Sequence, residues 1–303
     1  MHVFVTGGSG LTGPAIVSEL VSAGHSVTGL ARSDQSATRL QALGAGTRPG
    51  SLDDLDSLRA GAEAADGVVH MAFGGGDFAD PDSLVTRDRT AIETLGQALV
   101  GSGKPLVVTS GTFAMTPGRV STEHDAADLD SIVWFRIPGE QACLALAKQG
   151  VRASVIRLAP TVHGPQDHGF IPILVNTARR TATSTYIDDG ANRWPAVHRL
   201  DAARLFRLAL ENAPAGSALH GADESGVTLR TIADTIGEHL GVPTVSLTPD
   251  EAAERFGSFM AAAYGTDAPA SSAHTRELLG WTPTHPTLLA DLEHGDYFTQ
   301  PTA

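Results

Sequence analysis

Short apolar runs alternate with longer amphipathic stretches through the first half of this 303-residue chain. The apolar runs are rich in β-branched residues and are bounded by turn-forming residues, which is typical of buried strands. They predict strands over residues 2–5, 26–30, 67–71, 105–109 and 153–158, and helical patterns between them include 14–23 and 91–100. Because buried parallel strands are joined by helices that cover the faces of the sheet, this order predicts an α/β fold with a doubly wound parallel sheet.

The alternation weakens after about residue 165, where turn formers separate shorter periodic segments. A helix is predicted over residues 201–212, and it would return to the sheet. We therefore expect residues 1–165, joined by 196–212, to form the sheet domain. Residues 166–195 and 213–303 are expected to form a smaller lobe that closes over one end of the sheet.

The loop after the first predicted strand is rich in glycine. Its sequence TGGSGLTG, residues 6–13, satisfies both G-x-G-x-x-G and G-x-x-G-x-x-G. Glycine lets backbone N–H groups approach a pyrophosphate, whose charge then lies at the positive end of the helix that begins near Pro14. The order strand, loop and helix predicts a dinucleotide site, a Rossmann domain, with contacts from Gly7, Gly10, Leu11, Thr12 and Gly13.

The end of the second predicted strand bears on which dinucleotide binds. Arg32 and Ser33 stand there, and they suit the 2′-phosphate of NADP through charge-assisted hydrogen bonds. Asp34 is the rival, because a carboxylate could hold the ribose hydroxyls of NAD or cap the next helix. NADP is predicted, with NAD as the alternative.

The charge of the chain argues against nucleic acid and anionic lipid as partners. Acidic residues outnumber basic ones 34 to 21, for a formal net charge of −13. Binding a phosphate backbone would need a local basic groove, and the basic run Arg179-Arg180 is more simply a solvated helix end. We expect a small-molecule substrate.

The single cysteine, Cys143, excludes an internal disulfide and a thiolate metal site, and we expect it in the core. The chain reaches a strand-like run by residue 2, which leaves no pattern of a signal peptide, and it has no apolar run of about 20 residues that would span a membrane. The expected location is cytoplasmic.

Several segments together resemble the extended short-chain dehydrogenase/reductases, the family of NAD-dependent epimerases and dehydratases. TGGSGLTG resembles the nucleotide loop of that family, PLVVTSGT the fourth strand with the catalytic Ser/Thr, VIRLAPTVHGP the fifth strand and the loop beneath the nicotinamide, and LGWTPT a C-terminal element. The resemblance covers nearly the full length and implies further cofactor contacts from Leu52, Ala72, Phe73, Pro160 and Val162. It also implies that copies pair through helices beside the active site, so a homodimer is an expectation.

The chain departs from that family at the catalytic Tyr-x-x-x-Lys pair. Aligning Glu140 with the family's glutamate puts Ile132 at the tyrosine position and Arg136 at the lysine position. Isoleucine has no proton to transfer, and losing a general acid typically costs roughly 10²–10⁴ in rate. Another group must supply the proton, or the reaction must not need it.

The segment around Arg136 is expected to be remodelled. Pro138 lacks an N–H and disfavours helical geometry in the residue before it. A helix is therefore predicted to start near Pro138, with residues 132–136 in a loop or a kinked turn that exposes Trp134 to a ligand or buries it in the core.

Candidate catalytic groups follow the fourth predicted strand. Ser110 and Thr112 could hydrogen-bond a substrate oxygen or cap a local turn. Arg136 could bind ribose hydroxyls or stabilise an oxyanion, and a surface ion pair with Glu140 is the alternative. His163 could replace the missing acid, because the pKa of histidine lies near neutrality.

The substrate pocket is expected to be lined by Phe113, Trp134, Arg193, Trp194 and His198. His198 is a second candidate acid and Tyr186 a further one, although lone histidines are more often structural. No metal is expected, because the spacing of His163, His168, His198, Asp167 and Asp201 matches no known site.

These residues lead to one preferred hypothesis and two alternatives. We expect an atypical NADP-dependent oxidoreductase that moves hydride to or from a small, partly apolar carbonyl, imine or activated alkene. The alternatives are a nucleotide-sensing protein without catalysis, and a redox-neutral isomerase or cyclase on the same fold.

Overall fold

A doubly wound sheet forms the centre of the computed structural model, which describes residues 1–74 and 80–299. In chain order its strands are β1 (His2–Thr6), β2 (Ser26–Ala31), β3 (Gly46–Pro49), β4 (Gly67–His70), β5 (Pro105–Gly111), β6 (Arg152–Leu158), β7 (Thr161–His163), β8 (Ser184–Ile187), β9 (Arg193–His198), β10 (Ser217–Gly221), β11 (Glu224–Thr228) and β12 (Thr244–Leu247). Seven of them form one parallel sheet in the order β10-β6-β5-β4-β1-β2-β3. The predicted fold class is confirmed.

Helices cover both faces of this sheet. In chain order they are α1 (Gly13–Ser22), α2 (Asp34–Ala42), α3 (Leu55–Glu63), α4 (Pro81–Gln97), α5 (Ile137–Ala145), α6 (Phe170–Thr181), α7 (Arg199–Asn212), α8 (Leu229–Leu240), α9 (Pro249–Phe256), α10 (Ser258–Gly265), α11 (Ala273–Leu279) and α12 (Leu288–His294). In β1 the buried side chains alternate, so that Val3 and Val5 pack with α1 and α7, whereas Phe4 packs with α3 and α4. None of the described helices is both long and apolar enough to cross a membrane.

The second lobe has its own core beyond the carboxyl edge of the sheet. A three-stranded sheet, β11-β9-β7, and a two-stranded sheet, β12-β8, pack with α6, α8, α9, α10 and α12. Trp194 and Tyr264 are fully buried at its centre. Phe113, just after β5, belongs to the same core. The core of the lobe therefore packs against the end of β5.

The predicted division of the chain differs from the structure at one edge. The range 213–303 was assigned to the lobe, yet β10 pairs with β6 in the main sheet, and Leu279 and Trp281 pack into the core beside α7. The strand β10 has only five residues, and its sequence pattern is too short to indicate the strand with which it pairs. The predicted helix over 201–212 is confirmed as α7, and it lies on the sheet.

The helix starts near Pro138 as predicted, but the expectation that the proline disfavours helical geometry in the preceding residue is wrong, because Ile137 has helical dihedrals, φ −66° and ψ −42°. Residues 134–136 make one turn of 3₁₀ helix, and α5 begins at Ile137 with Pro138 in its first turn. Trp134 is 39% exposed. Cys143, on α5, is buried as expected, and burial raises the pKa of its thiol.

Candidate functional site

Two glycines of the loop between β1 and α1 are required by the protein's own packing. Gly7 has a φ of +75°, and a Cβ there would lie 2.5 Å from the backbone nitrogen of Ala72. A Cβ on Gly13 would lie 2.2 Å from the carbonyl oxygen of Gly7. At Gly10 the nearest atom would be that same oxygen at 3.2 Å, and Gly10 is exposed. Only at Gly10 is the space above the loop left for a ligand.

A cavity of about 540 Å³, which we call the large cavity, runs along the carboxyl ends of β1, β2, β4 and β5. Ligands of open α/β sheets bind at this edge. The predicted cofactor residues in its lining are Gly7, Gly10, Leu11, Thr12, Gly13, Arg32, Leu52, Ala72 and Phe73. Sequence reasoning missed other lining residues, among them Ser9, Ser36, Asp53, Arg87 and Thr109. Arg87 forms an ion pair with Asp53 at 2.9 Å. The two residues are 34 positions apart, so no local sequence pattern indicates this contact.

At the end of β2, Arg32 and Ser36 line the large cavity. Ser33 is the N-cap of α2, and its hydroxyl accepts a hydrogen bond from the Ser36 N–H at 3.2 Å. Asp34 is the first residue of α2 rather than its cap. Ser33 therefore shapes the turn that presents Arg32 and Ser36 to the cavity.

A second cavity, of about 300 Å³, adjoins the first, and we call it the side chamber. It shares Leu11 and Thr12 with the large cavity. The rest of its lining is Pro160, Val162, Asp167, His168, Gly169, Phe170, Ile173 and Arg199. Pro160 and Val162, expected beneath the nicotinamide, lie here. The two cavities therefore meet at the glycine loop.

Hydroxyls crowd the carboxyl end of β5. Ser110 is 5% exposed and Thr112 is fully buried, yet the described residues provide no hydrogen-bond partner for either hydroxyl or for that of Thr109. Unpaired buried polar groups are uncommon because each costs about 1–3 kcal/mol. Of these three residues, Thr109 is in the lining of the large cavity.

Arg136 lies beside the same strand end. Its Nη2 donates a hydrogen bond to the Thr109 carbonyl, and its guanidinium carbon lies 3.8 Å from the ring centroid of Phe73. Its Nη1 is buried, has no hydrogen-bond partner in the described part of the chain, and lies 3.8 Å from Asp88. The alternative of a surface ion pair between Arg136 and Glu140 is wrong, because Glu140 is buried and pairs with a different arginine.

That other arginine is Arg157 on β6. Its Nη2 and Nε lie 2.5 and 3.0 Å from one Glu140 oxygen, and both side chains are buried. The pair ties α5 to the sheet. Sequence spacing favoured Arg136, four residues away, because it cannot show that β6 passes beneath the first turn of α5.

A series of buried polar side chains leads from Asp88, next to Arg136, through His70 to Thr6. The hydroxyl of Thr6 lies 2.8 Å from His70 Nδ1, and His70 Nε2 lies 3.4 Å from Asp88. Burial lowers the pKa of Arg136, and the carboxylates of Asp88 and Glu140 oppose that effect. Asp88 therefore supplies the negative charge that keeps the guanidinium cationic inside the protein.

The two candidate histidines lie in a buried cluster between the sheet and the lobe. His163 is 1% exposed, and its Nδ1 lies 3.0 Å from Asp291. His198 accepts a hydrogen bond from the Leu200 N–H and stacks on His285 with centroids 4.8 Å apart. Burial, with neighbouring His163 and His285, lowers the pKa of His198 to about 4. A group so hard to protonate is a poor donor near neutral pH.

This cluster predicts an acid-sensitive fold. Histidine in the unfolded chain binds a proton near pH ~6.5, whereas folded His198 resists protonation until about pH 4, so falling pH favours unfolding between those values. From about pH 7 to 5 the loss attributable to His198 should be about 2 kcal/mol. In urea unfolding, His198→Gln should flatten the pH dependence by that amount. The exposed control His294→Gln should leave it unchanged, and equal slopes in all three proteins would contradict the prediction.

Three residues of the cluster could in principle approach a metal. Ligand atoms of His198, Asp201 and His285 lie within 4.8 Å of one another. Asp201, however, already accepts hydrogen bonds from the Thr284 N–H, the His285 N–H and His285 Nδ1 at 2.9–3.0 Å. Because Asp201 is hydrogen-bonded to Thr284 and His285, we interpret this cluster as structural. It holds the C-terminal segment against α7.

The structure places most predicted substrate residues away from the cavities. Trp194 is fully buried and donates its indole N–H to the Ala263 carbonyl, and Phe113 packs edge-on against it at 5.6 Å. Arg193 pairs with Asp267. Tyr186 stacks under Arg230 at the far end of the lobe. These side chains build the lobe, because large aromatics bury more area in a core than at a rim.

Comparisons with known proteins agree with this geometry. A family model described as the NAD dependent epimerase/dehydratase family matches residues 3–220. An uncharacterized protein of Schizosaccharomyces pombe is 44% identical over 98% of this chain and 100% of its own length. A ketoreductase of Stigmatella aurantiaca, acting on a farnesylated dihydroquinoline oxide, is 27% identical over 80% of this chain and 74% of its own. The solved structure of a dTDP-glucose 4,6-dehydratase from Streptomyces venezuelae, with NAD bound, superposes with a TM-score of 0.78 at 19% identity, over 99% of this chain and 97% of that one.

Proposed function

Because this chain belongs to the NAD-dependent epimerase/dehydratase family, we propose that it is an NADP-dependent oxidoreductase. It would transfer hydride to or from a small, partly apolar carbonyl, imine or activated alkene. The relative described as a ketoreductase supports the reductive direction. Sequences without a Tyr-x-x-x-Lys motif, such as this one, must use another arrangement for the charge that develops on the substrate.

The large cavity supports the cofactor half of the proposal. Its glycine loop offers backbone N–H groups at the start of α1, where a pyrophosphate is favoured. The exposed guanidinium of Arg32 lies on its rim, without an ion pair among the described residues, and can meet a 2′-phosphate. Ser36 adds a hydroxyl beside it. NAD remains the alternative cofactor.

The inner end of the cavity supports the catalytic half. When bound, the nicotinamide would supply the hydride chemistry. Arg136 would direct Nη1, which has no hydrogen-bond partner among the described residues, to the ribose or to a developing oxyanion, and a largely buried permanent cation is well suited to that task. Ser110 and Thr112 would hydrogen-bond the substrate oxygen. The observation that carries the proposal is this buried cation with unpaired hydroxyls at the end of β5.

Two other functions would use the same fold. A nucleotide-sensing protein would bind the dinucleotide without turnover, and a redox-neutral isomerase or cyclase would return the hydride to its substrate. The unpaired polar groups at the end of β5 favour an enzyme, because a sensor would have no need to keep them unsatisfied.

The test is to incubate the purified protein with NADPH or NADH and a panel of aldehydes, ketones, cyclic imines and conjugated enones, following the absorbance of the reduced nicotinamide. At least one compound should be consumed with NADPH. Arg32→Ala should raise the KM for NADPH about 10- to 100-fold and leave that for NADH within about twofold, because only NADPH loses a charge-assisted contact.

Arg59→Ala is the matched control, since Arg59 is an exposed arginine that pairs with Asp56 on α3. It should change neither KM. Tight NADPH binding with no NADPH consumption across the panel would contradict the oxidoreductase proposal and favour the nucleotide-sensing protein. If Arg32→Ala changed the KM for NADPH and for NADH equally, the proposed contact between Arg32 and the 2′-phosphate would be wrong.

A further inference from the structure

The side chamber has the character of a site for an apolar molecule. Its apolar lining residues are Leu11, Pro160, Val162, Phe170 and Ile173. Ile173 is 43% exposed, which is high for isoleucine and leaves the side chain free to contact a ligand. Because the chamber shares Leu11 and Thr12 with the large cavity, a molecule inside it would lie next to whatever occupies the glycine loop.

One buried carboxyl group lines this apolar space. Asp167 is 8% exposed, its Oδ1 accepts a hydrogen bond from the Gly169 N–H at 2.6 Å, and its Oδ2 accepts one from the Tyr297 hydroxyl at 2.8 Å. Tyr297 is 4% exposed and lies beyond α12, so the C-terminal segment holds the carboxyl group in place. The pair joins residues 130 positions apart.

The surroundings of Asp167 keep it closer to neutral than an ordinary carboxyl group. Burial raises its pKa, and the two hydrogen bonds, with the charges of His163 on β7 and Arg199 on α7, oppose that effect without cancelling it. The other titratable groups that face this segment are His168, next in the chain, and Asp296, which accepts from the Gln166 N–H.

We propose that the side chamber receives the substrate, a small apolar carbonyl compound, and that Asp167 donates a proton to its oxygen. The assignment rests on the proposed function, and it supplies the acid that the missing tyrosine leaves absent. Hydride from NADPH would reach the carbonyl carbon while the oxygen takes the Asp167 proton. A C–H and an O–H bond form, the C=O π bond breaks, and NADP⁺, an alcohol and a carboxylate remain. Water then reprotonates the carboxylate.

The geometry favours Asp167 over the histidines expected in this role. His163 directs Nδ1 to Asp291, and His198 is enclosed by His163 and His285. Asp167 lies in the wall of the chamber itself. Burial favours the protonated form of the Asp167 carboxyl group, and that form can donate a hydrogen bond to an acceptor oxygen.

Binding of a probe tests the assignment without requiring turnover. Cyclohex-2-enone should bind the protein in calorimetric titration, with and without NADP⁺, and at least tenfold more tightly at about pH 5 than at about pH 8, because only the protonated carboxyl group donates. Cyclohexene, the same ring without oxygen, should bind with no pH dependence. Asp167→Asn should make the binding of cyclohex-2-enone independent of pH.

Filling the chamber provides a second test that does not depend on a buried position. Ile173→Trp should weaken binding of cyclohex-2-enone at least tenfold and leave NADPH affinity within about twofold. Val100→Trp is the control, because Val100 is 44% exposed and lies at the opposite edge of the sheet, before β5. It should bind the probe as the parent protein does.

The outcomes separate this inference from the proposed function. Probe binding that is unaffected by Ile173→Trp, or absent altogether, would overturn the chamber even if NADPH is consumed with other compounds. A pH dependence that survives Asp167→Asn would overturn the role of Asp167. Probe binding with the expected pH dependence, in a protein that consumes no NADPH, would support the chamber while the oxidoreductase proposal fails.

Discussion

Replacing Gly10 with valine is expected to abolish NADPH binding while leaving the fold intact. A Cβ at this position meets nothing of the protein closer than the Gly7 carbonyl at 3.2 Å, so valine can be accommodated by a small shift. Its methyl groups would occupy the space above the loop where we place the pyrophosphate. The Kd for NADPH should rise at least 100-fold, about 2.7 kcal/mol, in fluorescence titration.

Two further variants make that result interpretable. Gly46→Val adds the same side chain at the start of β3, where a Cβ has its nearest neighbour at an ordinary 3.5 Å, and it should bind NADPH normally. Gly13→Ala should fail to fold, because its Cβ would lie 2.2 Å from backbone. Thermal unfolding should show Gly10→Val within a few degrees of the parent protein. Unchanged NADPH affinity in a folded Gly10→Val would mean that the pyrophosphate lies elsewhere.

Arg136→Leu is expected to lower the free energy of unfolding by about 3–5 kcal/mol, because it leaves the buried carboxylate of Asp88 without its cation. Urea unfolding monitored by circular dichroism measures this. Asp88→Asn combined with Arg136→Leu should recover most of the loss, since no charge then remains unpaired. Arg136→Lys should be far milder in stability, yet its ammonium cannot reproduce the planar fork beside Thr109, so any NADPH-dependent turnover should still fall.

The matched control for this series lies on the same helix as Asp88. Arg89→Leu removes an exposed arginine that pairs with Glu93 one turn on, and it should change the free energy of unfolding by less than about 0.5 kcal/mol. A loss below about 1 kcal/mol for Arg136→Leu would mean that the Asp88 carboxyl group does not depend on Arg136 for its stability inside the protein. The buried network would then have no part in holding the guanidinium.

Local patterns were sufficient to predict many of the residues that line the large cavity. The loop of residues 7–13, its position after β1, and Arg32 after β2 are all short-range features, since each depends on a strand followed at once by a turn. The start of α5 was also predictable, because Pro138 acts on the residues beside it. Leu52, Ala72 and Phe73 came from resemblance, and they line the same cavity.

The substrate end was much less accessible from the sequence. Trp194 and Phe113 have the composition of a binding pocket, but in the structure they form the core of the lobe. Hydrophobicity alone does not distinguish the two, because both environments remove apolar surface from water. Asp167 stood in the sequence as one carboxylate among many, and nothing near it indicated its burial.

The sequence by itself determined the glycine loop and the five strands predicted in the first part of the chain, because these are properties of neighbouring residues. Only the tertiary structure decided that Glu140 binds Arg157 rather than Arg136, that Arg136 faces Asp88, and that Tyr297 meets Asp167 in the wall of the side chamber. Those contacts join residues from 17 to 130 positions apart. Which of many equivalent charged or hydroxyl groups meet across such distances depends on how the sheet and the lobe pack, and that packing is a property of the whole chain.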